Sequence, residues 1–294
     1  MKHLGLIGFP LEHSFSPAYF KDKFQREGLT DYSYEAFPLS SIEQFPEFIA
    51  QHPDLSGLNV TIPYKEAIIP YLDELDEAAA EIGAVNCVKV LKNGDKEDKG
   101  NKATARTQLP TKMQLPTKKD YQLRNHNNCQ LSTVNCQLIE KDYRLKGYNT
   151  DAPAFEHCLK EGWPTLPDQA LIFGTGGAAK AVAYALRRLH IDFYFVSRSR
   201  RDGQTITYSD LNQTLSESHK LWINTTPVGM YPHTEESLPI DFSVIGREHY
   251  LFDLIYNPEE TVFLRNGRQK GTLTKNGLAM LYRQAELSWG IFLQ

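Results

Sequence analysis

No stretch of this chain narrows its fold more than residues 169–199, QALIFGTGGAAKAVAYALRRLHIDFYFVSRS. An apolar strand-like run, a glycine loop, an alanine-rich helical run and a second apolar run follow one another, the pattern of a β-α-β unit. Gly174, Gly176 and Ala179 fall on the three positions of G-x-G-x-x-(G/A), between the strand and the helix. The first glycine permits a tight turn, the second lets a pyrophosphate approach the backbone, and the small third residue allows close helix–strand packing. Amides at the helix N-terminus add donors for phosphate. Such a motif alone is weak evidence, but here its flanking strand and helix are both present, so a dinucleotide site is expected. The second strand ends in Ser197-Arg198-Ser199-Arg200-Arg201, with no acid before Asp202. An acid there would serve the ribose 2′-hydroxyl of NAD, whereas an arginine accommodates a 2′-phosphate. The expected cofactor is NADP; a solvated basic loop is the alternative reading.

The first ninety residues also alternate strand and helix signals. HLGLIGF, YSYEAFP and LSGLNVTIP read as strands; SPAYFKDKFQREG, SIEQFPEFIAQ and the alanine-rich LDELDEAAAEIGAVN read as helices, the last closed by Gly83. The 294 residues thus suggest two α/β lobes, with boundaries near 152 and 274 and a final helix, NGLAMLYRQAELSWG, returning to the first lobe. Residues 92–133 break the pattern. They repeat QLPTK, and over 92–128 carry nine Lys/Arg against four Asp/Glu, so they are expected to form a flexible insertion. The insertion is flanked by VNCVKV and VNCQLI, which resemble one another. A net charge of −4 argues against a nucleic-acid surface, and no run of 18 apolar residues spans a membrane. Cys87, Cys129, Cys136 and Cys158 lack metal-ligand spacing and are read as free thiols of a cytoplasmic protein, with no metal.

The stretch NVTIPYK, residues 59–65, poses a question. PYKEAIIPYL reads as a short helix with Pro63 at its first position, which puts Lys65 in the first turn. An ammonium is disfavoured there by roughly 0.3–1 kcal/mol. Lys65 does not fit there unless its charge is wanted or its pKa is meant to fall. Elsewhere, Asp151 in GYNTD and Ser16 in HSFSP read alone as helix caps, with Ser14 beside the latter. Asn86 reads alone as a helix terminator and Gln284 as a solvent-facing residue of the last helix.

Taken together and in order, GFPLEHSFSP, GLNVTIPYK, IGAVN, GYNTD, FGTGGAAKA, SRS, INTTPVGM, DLIYNP and NGLAMLYRQA resemble the shikimate dehydrogenase family. The resemblance implies an α/β, two-lobed fold: an N-terminal α/β substrate-binding domain (1–152, completed by 275–294), a Rossmann-type NADP-binding domain (153–274), and a cleft between them. It implies NADPH-dependent reduction of 3-dehydroshikimate to shikimate in aromatic amino-acid biosynthesis. Lys65 and Asp151 would be the catalytic pair. Ser14 and Ser16, helped by Tyr256, would bind the substrate carboxylate, and Thr61, Asn86 and Gln284 its ring hydroxyls. Gly174, Gly176, Gly177 and Ala178 would hold the cofactor, with Ser197, Arg198 and Ser199 at its adenosine phosphate. Thr225, Gly277 and Met280 would lie near the nicotinamide, while Asn224 and Pro227 shape their loop. Asn135 competes with Asn86 as the substrate ligand, and Asn86 is favoured because Gly83-Ala84 precede it. The remaining readings are an enzyme that also accepts quinate and an idle nucleotide-binding homologue. Either a monomer or a homodimer is compatible with the family.

Overall fold

The structure, a computed structural model, describes residues 1–12, 14–92, 142–163, 165–200 and 202–294. The readings for the insertion beyond residue 92, for Asn135 and for Cys129 and Cys136 lie outside the described residues. The first sheet contains β1 (Lys2–Gly8), β2 (Tyr32–Pro38), β3 (Leu55–Val60), β4 (Glu74–Leu75), β5 (Cys87–Lys92) and β6 (Tyr143–Tyr148), in the order β2-β1-β3-β5-β6-β4. β1 runs parallel to both β2 and β3, and β5 runs antiparallel to β3. Helices α1 (Phe15–Glu27), α2 (Phe45–Gln51) and α3 (Glu77–Ile82) connect these strands. α1 stops where expected: Gly28 takes up φ 67°, and its amide reaches the carbonyls of Phe24 and Gln25.

Both faces of this sheet are covered, which explains its long apolar runs. Leu4 and Leu6 point into one core with Phe20, Phe24 and Tyr34, while Ile7 joins Phe45, Leu58 and Val60 in the other. Two local readings are corrected here. PYKEAIIPYL forms turns and a single 3-10 turn at Ile69–Tyr71, not a helix starting at Pro63. Pro70 accounts for this, since its ring would strike the carbonyl of Glu66 in an α-helix. The alanine-rich helix is shorter than its composition suggests. Glu74–Leu75 pair as strand β4, and Asp76 caps α3 by accepting the Ala79 amide at 2.9 Å.

The second sheet contains β7 (Gln169–Phe173), β8 (Asp192–Ser197), β9 (Thr205–Thr207), β10 (Leu221–Asn224), β11 (Tyr250–Asp253) and β12 (Leu273–Lys275). Its order, β12-β11-β10-β7-β8-β9, is that of a doubly wound dinucleotide fold, with every pairing parallel. Around it lie α4 (Asp151–Gly162), α5 (Gly177–Arg188), α6 (Gln213–Ser218) and α7 (Val262–Gln269). Ala170 and Ile172 of β7 face Phe155 and Val182, whereas Leu171 and Phe173 face Trp222 and Phe263. The chain order reverses between β7 and β10, so the crevice for a ligand opens at Phe173-Gly174 and Asn224-Thr225.

The last helix, α8 (Leu278–Leu293), serves both sheets. Met280 enters the core of the second, and Ala285, Trp289 and Phe292 complete a core of the first. Phe292 can do so because Gly57 of β3 has no side chain; a Cβ there would stand 2.4 Å from its ring.

At the end of β11, Asp253 is fully buried and accepts from Thr261 Oγ1, the Ile255 amide and Asn224 Nδ2. Burial outweighs those donors and pushes its carboxyl up to about 6. The folded state therefore holds this proton more tightly than the unfolded chain. The group's contribution to stability is complete below the ordinary carboxylate range and is lost as the pH rises through about 6. Buried His219 and His249, held below the usual histidine range by desolvation, act in the opposite sense. Comparison with Asp253→Asn isolates the carboxyl. Between pH 5 and 7.5 the parent should lose about 1.4 kcal/mol of stability relative to the variant, the equivalent of about one pKa unit, read from denaturant midpoints.

Candidate active site

Lys65 lies on the turns after β3, and Asp151 is the first residue of α4. Lys65 Nζ donates to Asp151 Oδ2 at 2.7 Å, the two side chains being 19% and 7% exposed. The other carboxylate oxygen, Oδ1, accepts from Asn86 Nδ2 at 2.9 Å. Asn86 is fixed in turn: its Oδ1 accepts the Thr150 amide at 2.7 Å, and its Nδ2 also reaches Thr150 Oγ1. Main-chain bonds hold the same corner, from Val85 to the Lys65 carbonyl and from Val60 to the Asn86 carbonyl.

Asp151 does not cap its helix. Thr150 occupies the capping position, and Asn149 Oδ1 does the capping by accepting the Ala152 amide at 3.1 Å. The Asp151 carboxylate is thereby left to Lys65 and Asn86. Ser16 is likewise not the cap of α1; Ser14 precedes the helix, and Ser16 is buried within its first turn. Asn86 does more than terminate α3: Gly83, at φ 67°, stops that helix, and Asn86 follows as a buried side chain aimed at α4.

Ser16 is buried, and Tyr256 packs edge-on to Phe15 at 6.1 Å. Ser14, Ser16 and Tyr256 therefore cluster at one end of α1. Thr61 stays half-exposed, its amide tied to the Ile7 carbonyl. Gln284 is half-buried and turns its amide onto the Leu281 carbonyl of its own helix.

Three residues were missed by sequence reasoning. Tyr34 donates to Asn59 Oδ1, and Asn59 Nδ2 donates to Ser288 Oγ at 2.8 Å and to the Asn86 carbonyl at 3.2 Å. Ser288 also lies 3.2 Å from Thr150 Oγ1. A buried polar chain thus runs from Tyr34 to Lys65. Its signals were present in the sequence: Asn59 interrupts an apolar strand, and Ser288 interrupts the apolar stripe formed by Ala285, Trp289 and Phe292.

On the second sheet, Gly174 sits at φ 112° at the end of β7, and a Cβ there would meet Thr225 Oγ1 at 2.6 Å. That hydroxyl donates to the Phe173 carbonyl and closes the floor of the crevice. A Cβ on Gly176 would have no neighbour within 4 Å, so the approach to the N-terminus of α5 is clear. Ala178 follows in its first turn, half-exposed. Beyond β8, Ser197 is half-exposed while Arg198 and Ser199 are exposed. Arg200 is paired with Asp210 at 2.8 Å, whereas Arg198 has no carboxylate partner among the described residues. The open glycine, the free helix amides and an unpaired arginine without a competing acid fit a dinucleotide with a 2′-phosphate. Gly277 packs on the Leu254 carbonyl, and Met280 is buried in the second core. Among the described residues no His/Cys/Asp/Glu group suits a metal ion, and no helix is long and apolar enough to cross a membrane.

Comparison with known proteins agrees with this geometry. Residues 6–88 match the family model described as the shikimate dehydrogenase substrate binding domain. The shikimate dehydrogenase (NADP(+)) of Methanosphaera stadtmanae is 33% identical over 98% of this chain and 90% of its own length. That of Syntrophomonas wolfei is 34% identical over 99% and 89%. Among solved structures, shikimate dehydrogenase 1 of Peptoclostridium difficile superposes with a TM-score of 0.74 at 31% identity, covering 100% of this chain and 92% of that one. The Thermus thermophilus enzyme in complex with NADP(H) and shikimate gives 0.72 at 27% identity, covering 99% and 93%. With a glycine loop on a doubly wound sheet, a buried Lys–Asp pair facing it and full-length relatives above 30% identity, the chain belongs to the shikimate dehydrogenase family.

Proposed function

We propose that this protein reduces 3-dehydroshikimate to shikimate with NADPH, a step of aromatic amino-acid biosynthesis, in the cytoplasm and as a monomer or homodimer. The observation that carries the reading is the Lys65–Asp151 pair, with Nζ and Oδ2 at 2.7 Å, held by Asn86 on the substrate side of a dinucleotide crevice. An idle homologue would have no chemical need for such a pair. Residues 1–152 with 275–294 act as the substrate domain and 153–274 as the cofactor domain.

Ser14, Ser16 and Tyr256 supply hydroxyls at one end of α1, where the helix amides also favour a carboxylate. Thr61, Asn86 and Gln284 take the ring hydroxyls, and Gln284 must release its own helix to do so. NADPH, when bound, supplies the hydride. Gly174, Gly176, Gly177 and Ala178 would hold its pyrophosphate through their backbone amides, which a side chain at 177 leaves in place, and Ser197, Arg198 and Ser199 its 2′-phosphate. Thr225, Gly277 and Met280 build the wall on the nicotinamide side. Lys65 Nζ gives a proton to the substrate oxygen as the carbonyl becomes a hydroxyl, and takes it back in the reverse direction. Asp151 aims the ammonium, and Asn86 fixes the orientation of Asp151.

The test is NADPH consumption by the purified protein with 3-dehydroshikimate, beside NADH and 3-dehydroquinate. Rapid turnover with the first pair supports the reading; silence with every pair from a folded protein that binds NADPH removes it. Lys65→Ala should lower kcat by about 10²–10⁴-fold, as expected for loss of a positioned acid–base group, with NADPH binding retained. Arg198→Gln should raise the KM for NADPH by about 10–100-fold and leave that for NADH nearly unchanged. A hydrogen bond to a charged group is worth about 1.5–3 kcal/mol, or one to two decades.

A further inference from the structure

The two adjacent glycines of the dinucleotide loop face different neighbours. A Cβ on Gly176 would point into open space. A Cβ on Gly177 would stand 3.2 Å from Lys65 Cβ and 3.3 Å from Ala84 Cβ, closer than carbon atoms pack comfortably, with Lys65 Cδ at 3.7 Å. Gly177 is the first residue of α5 and is not among the residues with positive φ, so the backbone itself does not demand glycine there. Around this contact the two sheets' elements meet closely. Glu66, next to Lys65, pairs with Lys180 of α5. Ala84 and Ile82 pack with Ala152 and Ala181 in one small apolar cluster. The stem of Lys65 is therefore clasped between Gly177 and its own loop, while Nζ is held by Asp151.

We propose that Gly177 is a positioning residue for Lys65. Its missing side chain admits the lysine stem against the start of α5, and this contact, more than cofactor binding, requires glycine at that place. The loop that holds the cofactor thereby also sets the height of the proton donor. A methyl group at 177 would displace the stem by a few tenths of an ångström while Asp151 keeps its grip on Nζ. Reacting groups lose rate steeply under small misplacements. The inference rests on the reading of Lys65 as the proton donor.

The experiment compares Gly177→Ala with Gly176→Ala, measuring kcat at saturating NADPH and the Kd for NADPH by fluorescence titration. Gly177→Ala is expected to lose about tenfold or more in kcat with Kd within about threefold of the parent. Gly176→Ala is expected to do the reverse, since its Cβ would occupy the cofactor's approach. A Gly177→Ala protein with weakened NADPH binding and unchanged kcat overturns the proposal. The double variant Gly177→Ala/Ala84→Gly relieves one of the two contacts and should recover part of the lost turnover; no recovery, from a protein that binds NADPH, also counts against it. A parent protein without turnover would instead sink the functional reading, which the same titration and assay separate from failure of the inference.

Discussion

The carboxamide of Asn86 is the joint on which the site depends. Its oxygen takes the Thr150 amide and its nitrogen reaches both Thr150 Oγ1 and Asp151 Oδ1, so a single planar group orients the start of α4. Its own carbonyl accepts from Val60 and from Asn59, which fastens it to β3. The Lys65–Asp151 pair is thus held by one side chain with few rotamers left to it. A buried amide of this kind costs folding energy unless each polar atom finds a partner, and here every one does. Serving as a helix cap would consume the Asp151 carboxylate. Asn149 takes that duty and leaves both oxygens for chemistry.

Behind this corner the polar chain through Asn59 and Ser288 ties Lys65 to Tyr34 of β2, whose ring stacks on Phe20 of α1. The chain lies between apolar layers, so a broken link would leave a donor or acceptor dry at a cost of about 1–3 kcal/mol. Tyr34 and the Lys65–Asp151 pair therefore share one rigid support, which is how a fold lends precision to a cluster of side chains. Lys23 adds a second anchor: it is buried between α1 and α8, and its bonds to Glu27 and Glu286 outweigh the cost of burying its charge.

Much of the fold was legible in the sequence. The G-x-G-x-x-A loop with its flanking strand and helix, Gly28 and Gly83 as helix stops, and the alternation of β and α units all carried local physics that the structure obeys. The strand order of the first sheet was not legible, because pairing β5 against β3 is decided by packing and not by composition. The turn at Lys65 departs from the helix that Pro63 suggests because Pro70, seven residues later, is incompatible with it. The helix start that adjoins the Lys65 stem is that of α5, from the other sheet. Asn59 and Ser288 went unnoticed because a polar residue on an apolar face announces a partner without saying which one.

The packing of Phe292 over Gly57 has a consequence for how the chain is made. One core of the first sheet, begun by Leu4 and Phe20, is closed only by Trp289 and Phe292 at the far end of the sequence. On the ribosome the second sheet, local in sequence, can assemble while the first still waits with an open apolar face. The residues of β1 and α1 are thus covered only once the much later α8 has been made.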